Sequence, residues 1–223
     1  MTDREPGLFV TFEGLDGSGK TTQMRLLAGR LRSQGFEVVE TAEPGGTAIG
    51  MGIRQILLDP ANQHLSPVAE LLLYFAARAQ NVDELINPAI AEGKIVFADR
   101  FTDSTLAYQG AGRGLGQDVV RQLHAVACRG RDPHLTFLFD IDLKTALDRA
   151  HARNREKALE GVHETRMDEQ EVAFYERVHM AYEEMIAAEP RRFCRIDGRG
   201  TPEDVSGRVW AAFTRFREQR HVR

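Results

Sequence analysis

Gly14-Leu15-Asp16-Gly17-Ser18-Gly19-Lys20-Thr21-Thr22 carries residue types at a spacing suited to holding phosphate anions. Four positions separate Gly14 from Gly19, and Lys20-Thr21 follows at once, the pattern of a phosphate-binding loop. Glycines let backbone N–H groups converge on an anion, and a helix N-terminus adds its partial positive charge. In that pattern Lys20 reaches the outer phosphates of a nucleotide and the Thr21 hydroxyl is placed to ligate Mg²⁺. Gly17, Ser18 and Thr22 belong to the same cradle. The bland alternative is a glycine-rich turn that happens to precede a lysine. Against it, the apolar run LFVTF stands before the loop and the helical TTQMRLLAGRL after it. Nucleotide binding follows; the identity of the phosphate acceptor does not, because hydrolases, switches and kinases share this loop. Asp16 is the odd member, a carboxylate inside an anion cradle.

Further groups suited to phosphate chemistry lie downstream. The third apolar run ends in Phe97-Ala98-Asp99-Arg100-Phe101. In an open α/β sheet that corner faces the phosphate loop. There an aspartate can hold Mg²⁺ and an arginine can bind phosphate bidentately; a surface Asp–Arg pair is the plain alternative. The second run ends in the shaped loop Glu43-Pro44-Gly45-Gly46-Thr47, ahead of a helix carrying Arg54, which alone reads as a solvated arginine. Tyr74 and Arg78, four apart on a predicted helix, share a face. A ring and a guanidinium so placed can stack on and hydrogen-bond to a nucleobase, whereas Phe75 reads as core. Arg149, Arg153, Arg155, Lys157 and Arg166 form a basic cluster late in the chain.

Strands and helices must position these groups. Apolar runs at Leu8–Glu13, Glu37–Thr41, Lys94–Ala98, Leu135–Ile141 and Phe193–Ile196 are continuous rather than alternating, as in strands buried on both faces. Helical periodicity separates them. Met24, Leu27, Ala28 and Leu31 mark one helix. Ser66-Pro67 with Glu70 starts another, predicted to bend near Pro88 and end at Gly93. Further stripes run over 119–128, 172–185 and 209–216. The alternation predicts an α/β fold with a parallel sheet, in one domain over 1–223.

Composition narrows the function classes. With 223 residues, 42% hydrophobic and 28% charged, the chain fits one globular domain. A net charge of −4 argues against a nucleic-acid surface. No apolar run nears the ~18 residues of a membrane span. MTDREPG lacks a signal-peptide pattern, and Cys128 and Cys194 form no ligand set. A cytoplasmic location is the expectation.

Longer segments carry a resemblance. FEGLDGSGKTT at 12–22, EPGGT at 43–47, IRQILL at 53–58, FAARAQ at 75–80 and DRFTDSTLAYQG at 99–110 are similar to bacterial thymidylate kinases. The similarity continues through Ala146-Leu147-Asp148-Arg149, Arg166-Met167 and Phe174-Tyr175-Glu176-Arg177-Val178, in order and over nearly the whole chain. It implies a P-loop NTPase-type three-layer α/β/α fold with a five-stranded parallel sheet and a small lid at about 149–168. It implies transfer of a phosphoryl group from MgATP to dTMP, giving dTDP for dTTP synthesis, in a homodimer. By the same similarity Arg54 and Arg100 hold the acceptor phosphate, Tyr74 stacks on thymine and Arg78 meets a base carbonyl. Thr105 touches the base edge, Tyr108 disfavours a ribose 2′-hydroxyl, and Gln109 lies beside it. Asp16 turns toward the acceptor sugar. The phosphate loop has no arginine of its own, so the lid supplies it: Arg153 for the transition state, with Arg149 and Arg166 as alternatives on the ATP phosphates. Ala42 stands where the family often has arginine, Thr165 replaces an aspartate, and the lid carries extra polar length over 156–164. A nucleoside monophosphate kinase of other base preference, or a nucleotide-gated module, are the competing classes.

Overall fold

The structure, a computed structural model, describes residues 7–159, 166 and 170–221, apart from the side chains at 156–158 and 221. The N-terminal residues 1–6 and lid positions 160–165, 167 and 168 lie outside the described residues, as does the Lys157 side chain.

β1 (Leu8–Gly14) occupies the centre of the sheet, and all 7 of its residues are buried. It pairs in parallel with β3 (Ile95–Asp99) on one side and β4 (Leu135–Asp140) on the other. β2 (Val38–Ala42) lies outside β3 and β5 (Phe193–Asp197) outside β4, both again parallel. The order is β2-β3-β1-β4-β5. The chain therefore reverses its direction of travel at β1, and the crevice beyond the carboxyl ends of β1 and β3 is the place such sheets bind ligands.

Continuous apolar strands explain the two cores. Phe9, Val96, Ala98 and Leu138 face one side, against Leu71 and Phe75 of α3 (Pro67–Asn81), Val120 of α6 (Gln117–Cys128) and Tyr175 of α8 (Val172–Ala188). Val10, Phe12, Phe97 and Phe137 face the other, against Met24 and Leu27 of α1 (Lys20–Ser33) and Val209 and Phe213 of α9 (Pro202–His221). The result is a three-layer α/β/α arrangement. Phe12 sits 5.3 Å from the Phe97 ring and 5.5 Å from Phe137, directly under the phosphate loop. Truncating it to alanine is worth about 3–5 kcal/mol.

Local signals act where the sequence puts them. The Ser66 hydroxyl accepts from Ala69 N at 3.2 Å and Pro67 takes the first turn of α3. Thr47 caps α2 (Ala48–Leu58) by accepting from Gly50 N at 3.0 Å, so the Glu43–Thr47 loop feeds straight into the helix of Arg54. One expectation shifts. The irregularity expected near Pro88 falls upstream, in a π-helical stretch at Val82–Ile86 that precedes α4 (Asn87–Ala91). A proline ring clashes with the carbonyl four residues before it, here that of Glu84, and a widened turn relieves the clash. A second π-helical stretch, Leu106–Gly112, follows the short α5 (Thr102–Thr105) and was not foreseen. It carries Tyr108 and Gln109.

Candidate active site

A cavity of about 850 Å³ opens at the carboxyl ends of β1, β2 and β3. Of the residues singled out for chemistry above, Asp16, Gly17, Ser18, Gly19, Lys20, Thr21, Thr22, Arg54, Tyr74 and Arg78 line it. So do Asp99, Arg100, Thr105, Tyr108, Gln109, Arg149 and Arg153. Gly14 lies just beneath its floor, and its carbonyl accepts from Lys20 Nζ at 3.1 Å. Gly14, Arg155 and Arg166 fall outside the lining.

At the donor end the loop wraps the N-terminus of α1. Lys20 is buried, and its ammonium also donates to Leu15 O at 2.7 Å. Burial and the Arg100 charge bring its pKa down to about 8, although Asp16, Asp99 and Glu13 pull the other way. Thr21 Oγ1 donates to Asp99 Oδ2 in a very short contact. A hydroxyl and a carboxylate oxygen side by side at a helix N-terminus make a donor set that fits a hard divalent cation. Ser18 Oγ is buried without a partner among the described residues. Beyond it, Gly198, Thr201 and Val205 continue the wall past β5.

α7 (Leu143–Leu159) leans on this loop. Gly17 has φ +78, and a Cβ there would stand 2.2 Å from Ala146 O, so only glycine lets the helix approach so closely. That approach brings Arg149 and Arg153 to the cavity from a continuous helix. Arg153 Nη1 lies 4.0 Å from Asp16 Oδ1.

Asp16 joins the two ends. Arg100 Nη2 donates to its Oδ2 at 2.9 Å. Burial alone would raise the Asp16 pKa, but Arg100, Lys20 and Arg153 together hold it well below the usual carboxylate range. Arg100 itself has φ +73, a strained conformation for a side-chain-bearing residue. Its amide donates to Phe12 O at 3.0 Å, and its guanidinium also reaches Ser104 Oγ at 2.8 Å and Tyr108 Oη at 3.3 Å. Behind it the fully buried Glu13 accepts from Phe101 N at 2.7 Å, Ser104 Oγ at 2.5 Å and Tyr182 Oη at 3.0 Å. Burial and the nearby Asp103 push the Glu13 pKa up to about 7 against Arg100, Ser104 and the Phe101 amide.

At the acceptor end Arg78 is almost fully buried. Its Nε donates to Glu43 Oε2 at 2.5 Å and its Nη2 to Thr105 Oγ1 at 2.9 Å and Phe101 O at 3.1 Å. Nη1 is buried with no partner among the described residues. Asn81 Nδ2 donates to the other Glu43 oxygen at 3.1 Å. Gly46 cannot gain a side chain, since a Cβ would meet Thr41 Oγ1 at 2.3 Å and Asn81 Oδ1 at 2.7 Å. Arg54 Nη1 donates to Pro44 O at 3.0 Å. Tyr74 is half-buried at the wall, and burial with Glu70 nearby pushes its pKa up to about 12. Phe75 packs in the core, as its position suggested.

Arg166 corrects one expectation. It does not line the cavity. Its Nε donates to Leu57 O and its Nη2 to Glu70 Oε2, both at 2.6 Å, and the side chain is buried. The buried ion-pair and hydrogen-bond roles of Glu13, Glu43 and Glu70 are not legible in the sequence in the same way. A carboxylate inside the buried, mostly apolar run of β1 is itself a signal, because a buried charge needs partners. Glu43 and Glu70 offered no local sign, since their partners lie 35 to 96 residues away.

A family model described as thymidylate kinase matches residues 12–209. The chain belongs to the thymidylate kinase family. It is 49% identical over 205 residues to the thymidylate kinase of Pelobacter propionicus, covering 92% of this chain and 93% of that one. The thymidylate kinase of a Synechococcus strain is 46% identical over 206 residues, covering 92% and 93%. The crystal structure of thymidylate kinase from Ehrlichia chaffeensis superposes with a TM-score of 0.73 at 32% identity, covering 93% of this chain and 98% of that chain. As in that thymidylate kinase, the fold is the P-loop α/β type anticipated above. Among the described residues no helix is long and apolar enough to cross a membrane.

Proposed function

We propose that the protein transfers the γ-phosphoryl group of ATP to dTMP, giving dTDP and ADP. The observation that carries this is the Asp16–Arg100 pair, which joins a phosphate loop to a second polar and aromatic pocket within one cavity. A hydrolase or switch needs no second pocket. Family membership supports the choice of acceptor.

On the donor side, the amides of the phosphate loop, Ser18, Thr22, Lys20 and Arg149 bind the triphosphate. Thr21 and Asp99 would hold Mg²⁺, which when bound neutralises charge on the donor phosphates. On the acceptor side, Arg54 and Arg100 hold the dTMP phosphate and Tyr74 stacks on thymine. Arg78 offers Nη1 to a base carbonyl, Thr105 and Gln109 line the base edge, and Tyr108 crowds the position of a 2′-hydroxyl. Asp16 accepts a hydrogen bond from the sugar 3′-hydroxyl and keeps Arg100 aimed. An acceptor phosphate oxygen attacks the γ-phosphorus while the bond to the β–γ bridging oxygen breaks, and ADP leaves with that electron pair. Arg153 meets the charge that spreads over the transferred oxygens. Covering the site excludes water as a competing acceptor.

The chain acts as one domain over 1–223 in the cytoplasm, and as a homodimer. The exposed Val68 and Leu72 on α3 and Val119 and Val126 on α6 support that assembly.

The test is a coupled assay of ADP release with ATP and a panel of dTMP, dUMP, dCMP, dGMP and AMP. The expected result is ADP release that depends on the monophosphate and is fastest with dTMP. Preference for a purine or cytosine acceptor, or ADP release independent of any acceptor, overturns the proposal.

A further inference from the structure

Glu70 has no role in the scheme above and no exposed surface. Its Oε1 accepts from Gln109 Nε2 at 2.9 Å and Arg113 Nε at 3.2 Å. Its Oε2 accepts from Arg113 Nη2 at 3.1 Å and Arg166 Nη2 at 2.6 Å. Burial pushes the carboxyl up, but the hydrogen bonds from Gln109, Arg113 and Arg166 prevail and hold it below its ordinary value.

An ionised carboxylate accepts hydrogen bonds and cannot donate one. A carboxamide facing it must therefore present its NH₂ end. With Nε2 turned to Glu70, Gln109 is left with Oε1, which makes no hydrogen bond among the described residues. Gln109 lines the cavity one helical turn after Thr105, the residue that Arg78 Nη2 contacts. Arg78 lines the same cavity, and its buried Nη1 has no partner among the described residues. This cavity thus carries a guanidinium, which can only donate, and an amide held as an acceptor. Thymine and uracil match that pair with a 4-carbonyl beside an N3–H. Cytosine reverses both, with a 4-amino donor beside an N3 acceptor.

We infer that Glu70 is a positioning residue: it sets the hydrogen-bonding polarity of Gln109 and so makes the acceptor pocket select an imide base over cytosine. This rests on the proposal that the cavity takes a pyrimidine nucleoside monophosphate. Arg113 and Arg166, from two other parts of the chain, keep the carboxylate an acceptor only.

The experiment compares kcat/KM for dTMP and dCMP in the wild type, Glu70→Gln, Gln109→Met and the double variant. A glutamine at 70 can present either end of its amide, which frees Gln109 to turn over. The dTMP/dCMP ratio is then expected to fall at least about tenfold, because a site built around fixed polar partners discriminates strongly only while they stay fixed. Gln109→Met is expected to lower the ratio similarly, and adding Glu70→Gln to it to change the ratio no further. A purely structural Glu70 would depress both substrates alike and leave the ratio intact, which overturns the inference. Should Glu70→Gln leave two guanidiniums without their carboxylate and fail to fold, Glu70→Gln with Arg166→Met removes charge from both sides and gives the same readout. A wild type that phosphorylates neither pyrimidine refutes the functional proposal itself. A wild type that selects dTMP while the variants keep its ratio refutes only the role of Glu70.

Discussion

Gly17→Ala separates the part played by α7 from that of the phosphate loop it touches. The new Cβ would stand 2.2 Å from Ala146 O, 2.9 Å from Ala150 N and 3.0 Å from Arg149 Cβ. Those are backbone atoms and a side-chain root, so α7 must withdraw by about 1 Å to restore van der Waals contact. The φ of +78 adds roughly 1–2 kcal/mol of backbone strain once a side chain is present. A displacement of that size at a catalytic group costs about 10²-fold in rate. The expected result is a kcat about 10²-fold below the wild type at saturating ATP and dTMP. The midpoint of thermal unfolding should fall by about 4–8 °C, taking about 2 kcal/mol for a chain of this size. Gly19→Ala calibrates the strain, because φ there is +94 yet nothing lies within 4 Å of the added Cβ. It should show the stability loss of the backbone term alone. The same Gly17→Ala change in an Arg153→Ala background tests the route: if the displacement acts through Arg153, little further loss remains to be seen. A kcat within about threefold of the wild type, or an equal loss in both backgrounds, refutes the reasoning.

Two other outcomes follow from single contacts. Asp16→Asn removes the charge from the 2.9 Å bond to Arg100. The KM for dTMP should rise about tenfold or more, while that for ATP changes little, since a charged hydrogen bond is worth about 1.5–3 kcal/mol. Equal losses for both substrates in steady-state assays would point to a structural role. His124 governs a pH effect on stability. Burial pulls its pKa down, but the Asp132 carboxylate, 3.0 Å from Nε2, and Cys128 nearby raise it to about 9. A folded value above the unfolded value of about 6.5 means the contribution is complete below about pH 6.5 and is lost as pH rises through about 9. Asp132 faces solvent, so the effect is about 1 kcal/mol. The loss of stability from His124→Asn, read as the difference in urea midpoint from the wild type, should be larger at pH 6 than at pH 9.5, since Glu13 and Lys20 titrate in both proteins and cancel.

What the sequence revealed and what it concealed divide along physical lines. The phosphate loop was legible because one continuous segment does the whole job: strand, glycines, lysine and helix N-terminus follow in order from Leu8 to Ser33. The strands were legible because burial on both faces demands unbroken apolar runs. Sheet order was not, since nothing in the β4 sequence says that it lies beside β1 rather than β3. Arg166 reads locally as one more basic residue in a polar stretch, and only the folded chain brings it to Glu70, 96 positions away. The widened helix at Leu106–Gly112 likewise follows from packing against α8, where Phe174 comes so close that a Cβ on Gly112 would meet its ring at 2.6 Å. Periodicity sees one element at a time; such features belong to pairs.

The acidic residues around this cavity make physical sense as holders of arginines. Seven cations among the described residues, Lys20, Arg25, Arg54, Arg78, Arg100, Arg149 and Arg153, line one space meant for phosphates. Before a nucleotide arrives they repel one another, and each is a long side chain with freedom to lose. Glu43 fixes Arg78, and Asp16 fixes Arg100, so these two meet a substrate already oriented, which is what electrostatic preorganisation requires. Arg153 is held differently. It reaches toward the same Asp16 at 4.0 Å, beyond the 2.9 Å of Arg100, from a helix that touches the loop at Gly17. One carboxylate in the anion cradle thus stands between the acceptor arginine and the arginine of α7. A neutral residue there would leave both without their common reference point, and the loop would bind phosphate without specifying where the second phosphate must lie.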